Sequence, residues 1–556
     1  MSIKKKSLRI IPLGGLGEIG LNMMVIEYGD SAIIIDAGLM FPEDYMLGVD
    51  IVIPVMDYVR KNSDTILGIF LTHAHEDHIG ALPYLLKDVN IPVYGTPFTI
   101  GIIKRKIEEF NIPGSSVVYH EVNPKNKVKL GEFELDFIRV NHSTIDGVGI
   151  AINTPVGIII HTGDFKISYS IASEYKTDIN KFAQYGNKNV LALMSDSTNV
   201  EKEGYTVDAS KIGDTLRNII SNSSGRVIVA LFASNIGRIK QVIKIAENLN
   251  RKIVFNGRSV ETSVSIAKEL GRINFNPDNE IDIKDANNYP DENLIIITTG
   301  SQGEPMSSLA RMATGVHKQI KIKTDDIVIL SSKFIPGNEK AITNIINTIY
   351  KRGADVIYEK ISDIHVSGHA FQEELKMMIN LTKPTFFIPI HGEYRHLFHH
   401  AKLAESVGLS KENIILAENG NVIEYNGNNF EINESVTTGR VLVDGKGIGD
   451  VGRSVLKERR MLSEDGLVIV TIVFDEETGI VIHGPEIISR GFVFWTQTGH
   501  LVDDAQCVIL EIIEDVHAET KNRTEIIRSK IQKALTQYFN YTIRRRPVIV
   551  PIILEL

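Results

Sequence analysis

The sequence predicts a multidomain α/β protein. Its 556 residues exceed what a single compact core usually holds, so we expect two to four domains. Short β-branched runs alternate with turns over the N-terminal third, as at Leu8–Leu13 and Ile66–Leu71. From Thr206 to Glu359, strand and helix patterns alternate, which indicates a parallel sheet. Gly439–Arg460 is glycine-rich and charged, so it predicts a linker before a small α+β tail.

Each element follows from the spacing of its apolar residues. Apolar runs bounded by turn residues predict buried strands, and these are Leu8–Leu13, Met23–Tyr28, Ala32–Ile35, Ile66–Leu71, Leu135–Val140, Gly157–His161, Val227–Leu231, Lys252–Phe255, Leu294–Thr298, Ile327–Leu330 and Thr385–Ile390. In the tail, Leu467–Phe474 and Gly479–His483 predict a hairpin, and Val548–Leu554 predicts a closing strand. Arg523–Tyr541 predicts an amphipathic helix. One face of that helix carries Ile527, Ile531, Ala534, Leu535 and Tyr538.

Composition narrows the functional class. The net charge of −9 and the pI of about 6.0 argue against a protein that coats nucleic acid nonspecifically, although a local basic groove or metal ions can still hold RNA. Cys507 is the single cysteine, which excludes an internal disulfide and a multi-thiolate zinc site. No apolar run reaches the length of a membrane span, and the N-terminal residues lack a signal-peptide core. We therefore expect a cytoplasmic protein without membrane contact.

One short segment carries the chemistry. After the strand that ends at Leu71, the chain presents His73, His75, Asp77 and His78 in close succession. In extended backbone, alternate side chains share a face, so His73 and His75 can reach one ion while Asp77 and His78 turn toward a second. Imidazole and carboxylate are the ligands that zinc prefers when no thiolate is present. The segment therefore predicts a metal site.

Further candidate ligands follow other strand ends, where the loops of a layered sheet structure converge. They are His142, Asp164 and His391. Asp164 is the candidate bridge between two ions, because one carboxylate has two oxygens. Asp36 also ends a strand, and it either closes a turn or orients a histidine ligand from behind.

A glycine pattern near the N-terminus offers a different class of protein. Gly15-Leu-Gly-Glu-Ile-Gly20 has the spacing of a dinucleotide-binding loop, with Asp36 at a suitable distance. That loop requires a helix next, but Leu21–Tyr28 is rich in strand formers and a turn follows it. We therefore expect a hairpin here and not a dinucleotide site.

The histidine segment and its partners resemble the metallo-β-lactamase superfamily, which implies an αββα sandwich with metals at one edge of the facing sheets. Histidine at position 75 favours zinc, since di-iron members usually carry glutamate there. Three segments resemble motifs of the β-CASP branch, whose members act on nucleic acids. Ser195–Asn199 resembles motif A, with Asp196 as its acid. His365–His369 resembles motif B, and Pro389–Tyr394 resembles motif C, with His391 as its histidine.

Other segments are similar to the bacterial ribonuclease J family over essentially the whole chain. They are Phe232–Asn235, Thr299–Pro305, Ser332–Gly337 and Arg544–Pro551. The resemblance implies an α/β fold class: an αββα metallo-β-lactamase sandwich, an inserted β-CASP α/β domain and a small α+β C-terminal domain. It places the sandwich at 1–205 and 360–438, the β-CASP domain at 206–359, the linker at 439–465 and an oligomerisation domain at 466–556.

The resemblance also implies a hydrolase that cuts RNA phosphodiester bonds. Two adjacent zinc ions per subunit, or manganese instead, would supply hydroxide at neutral pH, and in-line attack would leave 5′-phosphate and 3′-hydroxyl products. Asp77 would orient the hydroxide while it binds metal. His369, held by Asp196, is the candidate general acid or, alternatively, a contact to the substrate phosphate.

A pocket for a 5′ monophosphate is a further implication. It would be formed by Phe232, Ala233, Ser234, His365, Val366, Ser367, Gly368 and His369. Glycine lets the backbone approach the phosphate, and the serine hydroxyl adds a donor. A filled pocket favours 5′→3′ exonuclease cleavage, and entry of an internal segment gives endonuclease cleavage. Roles in mRNA decay and rRNA maturation follow from the family.

The family resemblance extends to other ligands and partners. It implies a structural calcium ion near Gly48, Asp50 and Asp444. The expected partners are single-stranded RNA with a 5′ monophosphate, further copies of the chain in a dimer or tetramer, and a paralogue or RNA-decay complex.

Rival functions remain to be weighed against this one. One rival is a metallo-β-lactamase hydrolase that acts on thioesters or lactams, and another is a non-catalytic RNA-binding scaffold. The inserted domain and motifs A and B argue against the first, and the complete ligand set argues against the second. Weakened family members have an altered histidine motif, so the intact motif here favours a catalytically complete member.

Overall fold

The structure is a computed structural model of the chain. It describes residues 6–112, 117–168, 176–207, 209–304, 306–332, 334, 338–359, 361, 367–445, 447–475, 478–493, 500–517 and 520–556. The chain forms two compact units. The larger comprises Met1–Phe41 and Ile51–Val441, and the smaller comprises Pro42–Asp50 and Leu442–Leu556.

Two β-sheets packed face to face form the base of the larger unit. The spatial order of the first is Phe430–Ser435 (β22), Asn421–Tyr425 (β21), Leu8–Gly14 (β1), Met23–Tyr28 (β3), Ser31–Ile35 (β4), Ile66–Phe70 (β6), Val93–Gly95 (β7) and Tyr119–Glu121 (β8). The order of the second is Phe386–Ile390 (β19), Val190–Asp196 (β13), Gly157–His161 (β12), Val148–Thr154 (β11), Phe133–Arg139 (β10) and Lys127–Leu130 (β9). Side chains from both sheets, such as Ile26, Phe70, Leu135, Ile150 and Ile388, share one buried core.

Helices complete the sandwich. On the second sheet, Phe182, Met378 and Leu403 pack with Leu193 and Phe387 in a separate buried cluster. The helices that carry them are Ile179–Gly186 (α5), Gln372–Thr382 (α11) and Tyr394–Ser406 (α12). The N-terminal part adds the helices Asp57–Lys61 (α1), Glu76–Ile79 (α2), Leu82–Leu86 (α3) and Pro97–Glu109 (α4), and the short strands Leu16–Gly17 (β2) and Ile51–Pro54 (β5). A further short strand, Gly392–Glu393 (β20), follows β19 and pairs with β2. The predicted αββα sandwich is confirmed.

The glycine pattern at Gly15–Gly20 leads into a hairpin. β3 pairs antiparallel with both β1 and β4, and Ile26 lies opposite Ile10 and Ile33. The strand formers after Gly20 therefore continue the sheet in place of the helix that a dinucleotide loop requires. The prediction of a hairpin is confirmed.

The inserted domain leaves the second sheet between two neighbouring strands. β13 and β19 pair in parallel, with Met194 opposite Ile388. The chain between them builds a parallel sheet in the order Lys252–Asn256 (β15), Leu294–Thr298 (β16), Val227–Ala230 (β14), Ile327–Leu330 (β17) and Asp355–Ile357 (β18). Its helices are Ala209–Ser221 (α6), Ile236–Asn248 (α7), Arg258–Glu269 (α8), Ser308–Thr314 (α9) and Glu339–Tyr350 (α10). The continuous apolar runs of these strands reflect burial of both sheet faces.

The smaller unit has its own core. Its elements include Arg453–Asp465 (α13), Leu467–Phe474 (β25), Val481–Arg490 (β26), Leu501–Glu514 (α14), Arg523–Ile543 (α15) and Val548–Glu555 (β27). β25 pairs antiparallel with β26 and parallel with β27. α15 buries Ile527, Ile531, Leu535 and Phe539. Ala534 and Tyr538, which the periodicity placed on the same face, are only half-buried.

The predicted linker at 439–465 differs from the structure. Short strands at Arg440–Asp444 (β23) and Gly447–Ile448 (β24) precede α13, so most of the segment has regular structure. Leu456–Leu462 consists of strong helix formers, and their propensity outweighs the high charge that suggested a linker. Within the described residues, every helix is too short or too polar to cross a bilayer.

Candidate metal centre

The predicted ligands lie where several strands of the sandwich end. β4 and β6 are parallel, as are β12, β13 and β19, so their carboxyl ends lie at a common edge of each sheet. Within the described residues, three overlapping groups of side chains at this edge could hold a metal ion. The first is His73, His75, His142 and Asp164, and the second is Asp77, His78, Asp164 and His391. The third is Asp164, Asp196, His369 and His391, which shares Asp164 and His391 with the second.

The first group has ligand-atom distances close to those of a tetrahedral site. His75 Nδ1 lies 3.0 Å from His73 Nε2 and 3.1 Å from His142 Nε2. Asp164 Oδ2 lies 3.6 Å from His73 Nε2 and 3.7 Å from His142 Nε2. A zinc ion with ordinary bond lengths has ligand atoms about 3.3 Å apart along the edges of its tetrahedron. These four atoms therefore fit one zinc ion.

The second group shares Asp164 with the first. His78 Nε2 lies 3.3 Å from Asp164 Oδ2 and 3.6 Å from Asp77 Oδ2. His391 Nε2 lies 3.2 Å from Asp77 Oδ2. A carboxylate shared by two groups of imidazole and carboxylate ligands is an arrangement that suits a pair of neighbouring cations.

Asp36 supports the second group from behind. His78 Nδ1 donates a hydrogen bond of 2.7 Å to Asp36 Oδ2, which directs Nε2 toward the site. The Thr72 backbone N–H and hydroxyl also donate to this carboxylate, each at 2.8 Å. Asp36 has a left-handed backbone with φ of 60°. The hydrogen bond from His78 to the Asp36 carboxylate favours the orienting role over a simple turn.

Two further predicted ligands, His142 and His391, form hydrogen bonds with residues of motifs A and B. His142 Nδ1 donates a 2.8 Å hydrogen bond to the Gly368 carbonyl of motif B. The Thr198 hydroxyl of motif A donates to Asp196 Oδ1 at 2.7 Å, so it accepts from His391 Nδ1 at 2.7 Å. Each imidazole thus has one nitrogen fixed by the protein and the other directed into its group.

Asp196 and His369 form the predicted contact. His369 Nδ1 donates to Asp196 Oδ2 at 2.9 Å. The His369 side chain is 21% exposed and that of Asp77 is 31% exposed, whereas the Asp164 side chain is 3% exposed. His369 and Asp77 therefore lie on the open side of the site, where a substrate could reach them.

Electrostatics divides the histidines into two sets. Burial, assisted by neighbouring imidazoles, lowers the pKa of His73 well below its usual range and lowers the pKa of His75 to about 4. Burial also disfavours charge on His391, but Asp164, Asp196 and Asp77 outweigh it and raise its pKa to about 10. The pKa of His78 is likewise well above its usual range, because Asp164, Asp77 and Asp36 outweigh burial.

The acidic residues stay ionised. Burial opposes charge on Asp164, yet His391 and His78 hold its pKa well below the usual range.

Burial also opposes charge on His369, but Asp196 and Asp164 raise its pKa. The first group is thus ready to bind a cation at neutral pH, while the second must lose protons first.

The predicted phosphate pocket is described in part. His365 and Val366 lie outside the described residues. Phe232, Ala233 and Ser234 form the half-buried turn between β14 and α7, at the carboxyl edge of the parallel sheet. Ser367 and Gly368 lie beside the metal ligands, and the Gly368 carbonyl contacts His142.

The predicted calcium residues have protein partners. Asp50 Oδ2 accepts a 2.7 Å hydrogen bond from the Gly445 N–H. Asp444 Oδ2 lies 2.6 Å from Arg459 Nη2. The same guanidinium donates to the Leu47 carbonyl at 2.9 Å and lies against Gly48. The calcium ion stays a prediction.

Sequence reasoning missed the residues that hold the ligands. Thr198 lies two residues after Asp196 within motif A, and this spacing was the available signal for its role. Thr72 directly precedes His73, and that position was the available signal for Thr72. Asn22 Nδ2 donates to the Asp77 carbonyl at 3.0 Å and lies 3.2 Å from His78 Nε2. Nothing in the local sequence of Asn22 indicated this role.

The fold and the shared ligand groups define a metal-binding hydrolase of the metallo-β-lactamase class. Comparison with known families agrees. The Metallo-beta-lactamase superfamily matches residues 16–220, and the Ribonuclease J beta-CASP domain matches residues 224–349. The Zn-dependent metallo-hydrolase RNA specificity domain matches residues 353–416, and the Ribonuclease J C-terminal domain matches residues 454–556.

Relatives of the whole chain make the assignment more specific. Ribonuclease J2 of Bacillus subtilis strain 168 is 40% identical over 100% of both chains. Ribonuclease J 2 of Staphylococcus aureus strain NCTC 8325 is 42% identical over 100% of this chain and 99% of the relative. This chain therefore belongs to the ribonuclease J family of metal-dependent ribonucleases.

A solved structure shares the fold. The crystal structure of a protein of unknown function from Enterococcus faecalis V583 is 18% identical, with a TM-score of 0.54 over 75% of this chain and 100% of that chain. At this identity the likeness extends to the fold alone.

Proposed function

We propose that this protein degrades and processes RNA with two zinc ions per subunit, for which manganese can substitute. It hydrolyses the phosphodiester bond to leave 5′-phosphate and 3′-hydroxyl ends. It acts 5′→3′ on ends that carry a 5′ monophosphate and also cuts internal sites. The observation that carries the proposal is the shared Asp164 carboxylate, since one acidic side chain joins two complete ligand groups.

The side chains on the open side have distinct tasks. When bound, the cations offset phosphate charge and make a water molecule more acidic. Asp77 accepts a hydrogen bond from the attacking water and so orients it. His369 donates its Nδ1–H to Asp196, which leaves Nε2 free to face the departing 3′ oxygen. Asp196 and Asp164 outweigh burial and raise the pKa of His369, which favours its protonated form.

A cleavage assay tests this proposal. The substrate is 3′-labelled RNA with a 5′ monophosphate, compared with the same RNA bearing a 5′ hydroxyl. Wild type, Asp77→Ala and the surface control Asp214→Ala are supplied with zinc or manganese. We expect metal-dependent release of mononucleotides by wild type and Asp214→Ala, and none by Asp77→Ala. Metal binding without RNA cleavage by wild type would instead support a scaffold, and cleavage of thioesters alone would support another hydrolase.

The two roles considered for His369 can be separated with a modified substrate. A 3′-thiolate leaving group departs without a proton. If His369 is the general acid, His369→Ala should therefore cleave this substrate at close to the wild-type rate, although it cleaves ordinary RNA far more slowly than wild type does. If His369 only contacts phosphate, this variant should lose the same fraction of the wild-type cleavage rate on both substrates. Wild type measured on both substrates provides the reference.

We also propose a homo-oligomer, a dimer or tetramer, that forms through the smaller unit. Support comes from the outer face of β27, where Val550, Ile552 and Leu554 are exposed side by side along one strand. Light scattering of wild type and Ile552→Glu tests this: we expect a multimer for wild type and a monomer for the variant. A monomeric wild type would refute it. A cytoplasmic location, roles in mRNA decay and rRNA maturation, and association with a paralogue or decay complex complete the proposal.

A further inference from the structure

The backbone carbonyls at the end of motif B all accept hydrogen bonds from the protein. Lys166 Nζ donates to the Ser367 carbonyl at 3.0 Å. His142 Nδ1 donates to the Gly368 carbonyl at 2.8 Å, and Asn199 Nδ2 donates to the His369 carbonyl at 3.2 Å. These three backbone acceptors are therefore occupied by the protein.

Asn199 also controls a side chain of the segment. A carbonyl oxygen can only accept, so the Asn199 atom that faces the His369 carbonyl must be the amide nitrogen. The same nitrogen contacts Ser367 Oγ, and the serine oxygen must therefore act as the acceptor. Asn199 is 7% exposed, which restricts its amide to this arrangement.

The Ser367 oxygen accepts a second hydrogen bond. The His369 backbone N–H donates to it at 3.3 Å. A hydroxyl oxygen has two lone pairs, and here both have partners. Within the described part of the chain, the Ser367 hydroxyl takes part in these bonds only as acceptor. What it retains is its O–H donor.

We propose that Asn199 is a positioning residue that fixes the Ser367 hydroxyl as a donor toward the 5′ phosphate of RNA. The inference rests on the proposed 5′-monophosphate preference. The oxygens of a phosphate dianion are acceptors, so a hydroxyl with only its donor left matches them. A 5′-hydroxyl end offers a weaker, uncharged acceptor and gains less from this donor. Asn199 would thus contribute to discrimination between the two kinds of RNA end without touching the substrate.

The test measures kcat/KM for RNA with a 5′ monophosphate divided by kcat/KM for the same RNA with a 5′ hydroxyl. Ser367→Ala should lower this ratio about tenfold, because a charge-assisted hydrogen bond is lost. Asn199→Ala should lower it about three- to tenfold, since the hydroxyl is then free to rotate away. Asn199→Asp keeps the shape but accepts the Ser367 proton, so it should lower the ratio more than Asn199→Ala does.

A double-mutant cycle separates this role from a merely structural one. If Asn199 acts through Ser367, then Asn199→Ala should change the ratio little in a Ser367→Ala background. Asn153→Ala is the matched control. The Asn153 amide also donates to a backbone carbonyl, that of Glu134, but it lies at the end of β11 that is remote from the metal ligands. Thermal unfolding and metal content verify the fold of each variant. Asn199→Ser, too short to reach Ser367, replaces Asn199→Ala if the latter does not fold.

The outcomes separate the inference from the function on which it rests. A high ratio in wild type that survives unchanged in Asn199→Ala and Asn199→Asp would overturn the inference alone. Additive losses in the double mutant would also overturn it, since Asn199 would then act by another route. A ratio near one in wild type would overturn the 5′-monophosphate preference and the inference together.

Discussion

Gly368→Ala should displace a metal ligand without removing any ligand from the sequence. A Cβ atom at position 368 would lie 2.5 Å from His142 Cε1 and 2.7 Å from His142 Nδ1. Ordinary contacts between such atoms are about 3.5 Å or longer, so the imidazole must move by roughly 1 Å. Ligand distances at a zinc site tolerate only about 0.2 Å. We therefore expect the affinity of the first ligand group to fall at least about 10- to 100-fold.

Competition with a chelator measures this affinity, and the number of ions per chain is counted at a fixed free zinc concentration. Gly213→Ala, within α6, is the matched control, because the nearest described atom to its Cβ would be Gln241 Nε2 at 3.6 Å. Alanine also favours a helix over glycine, so the control should be at least as stable as wild type. If Gly368→Ala binds two zinc ions with wild-type affinity, the contact between motif B and His142 does not hold the site.

Three further predictions concern groups around the site. Asp36→Asn should weaken zinc binding about 10- to 100-fold, as measured by chelator competition. Asparagine tolerates the left-handed backbone, but its uncharged amide is a weaker hydrogen-bond acceptor for His78 than a carboxylate is. Zinc uptake at pH 7 should release about two protons, because the raised pKa values of His78 and His391 leave both imidazoles charged before zinc binds. The affinity for zinc should therefore rise with pH. Calorimetry in buffers of different ionisation enthalpy measures the number of protons released. Glu374→Ala removes a fully buried carboxylate that accepts four hydrogen bonds from Ile167, Thr206 and Phe371, so urea unfolding should show a loss of about 3 kcal/mol or more, and Glu374→Gln should lose less.

Much of the fold could be predicted because its signals are local. Apolar runs such as Ile327–Leu330 mark buried strands, and strand formers after Gly20 distinguish a hairpin from a dinucleotide loop. The close spacing of His73, His75, Asp77 and His78 predicts a metal site before any tertiary contact is known. Each of these patterns is complete within a few residues.

Other features depend on contacts between distant parts of the chain. The hydrogen bond from His142 to the Gly368 carbonyl joins residues 226 positions apart. The sequence predicts that glycine at position 368 allows close approach of a phosphate, and the structure adds that a Cβ atom there would meet the His142 imidazole. Helix α13 was missed for a different reason, since its charge suggested a linker while its helix propensity decided the structure.

The most direct test of the two-metal account follows RNA cleavage while zinc is added to metal-free protein. Initial rates on RNA with a 5′ monophosphate are plotted against the number of zinc ions bound per chain. We predict that cleavage stays near background until the first ligand group is filled and appears as the second ion binds. Full activity with one ion per chain, or no cleavage with two, would contradict the account.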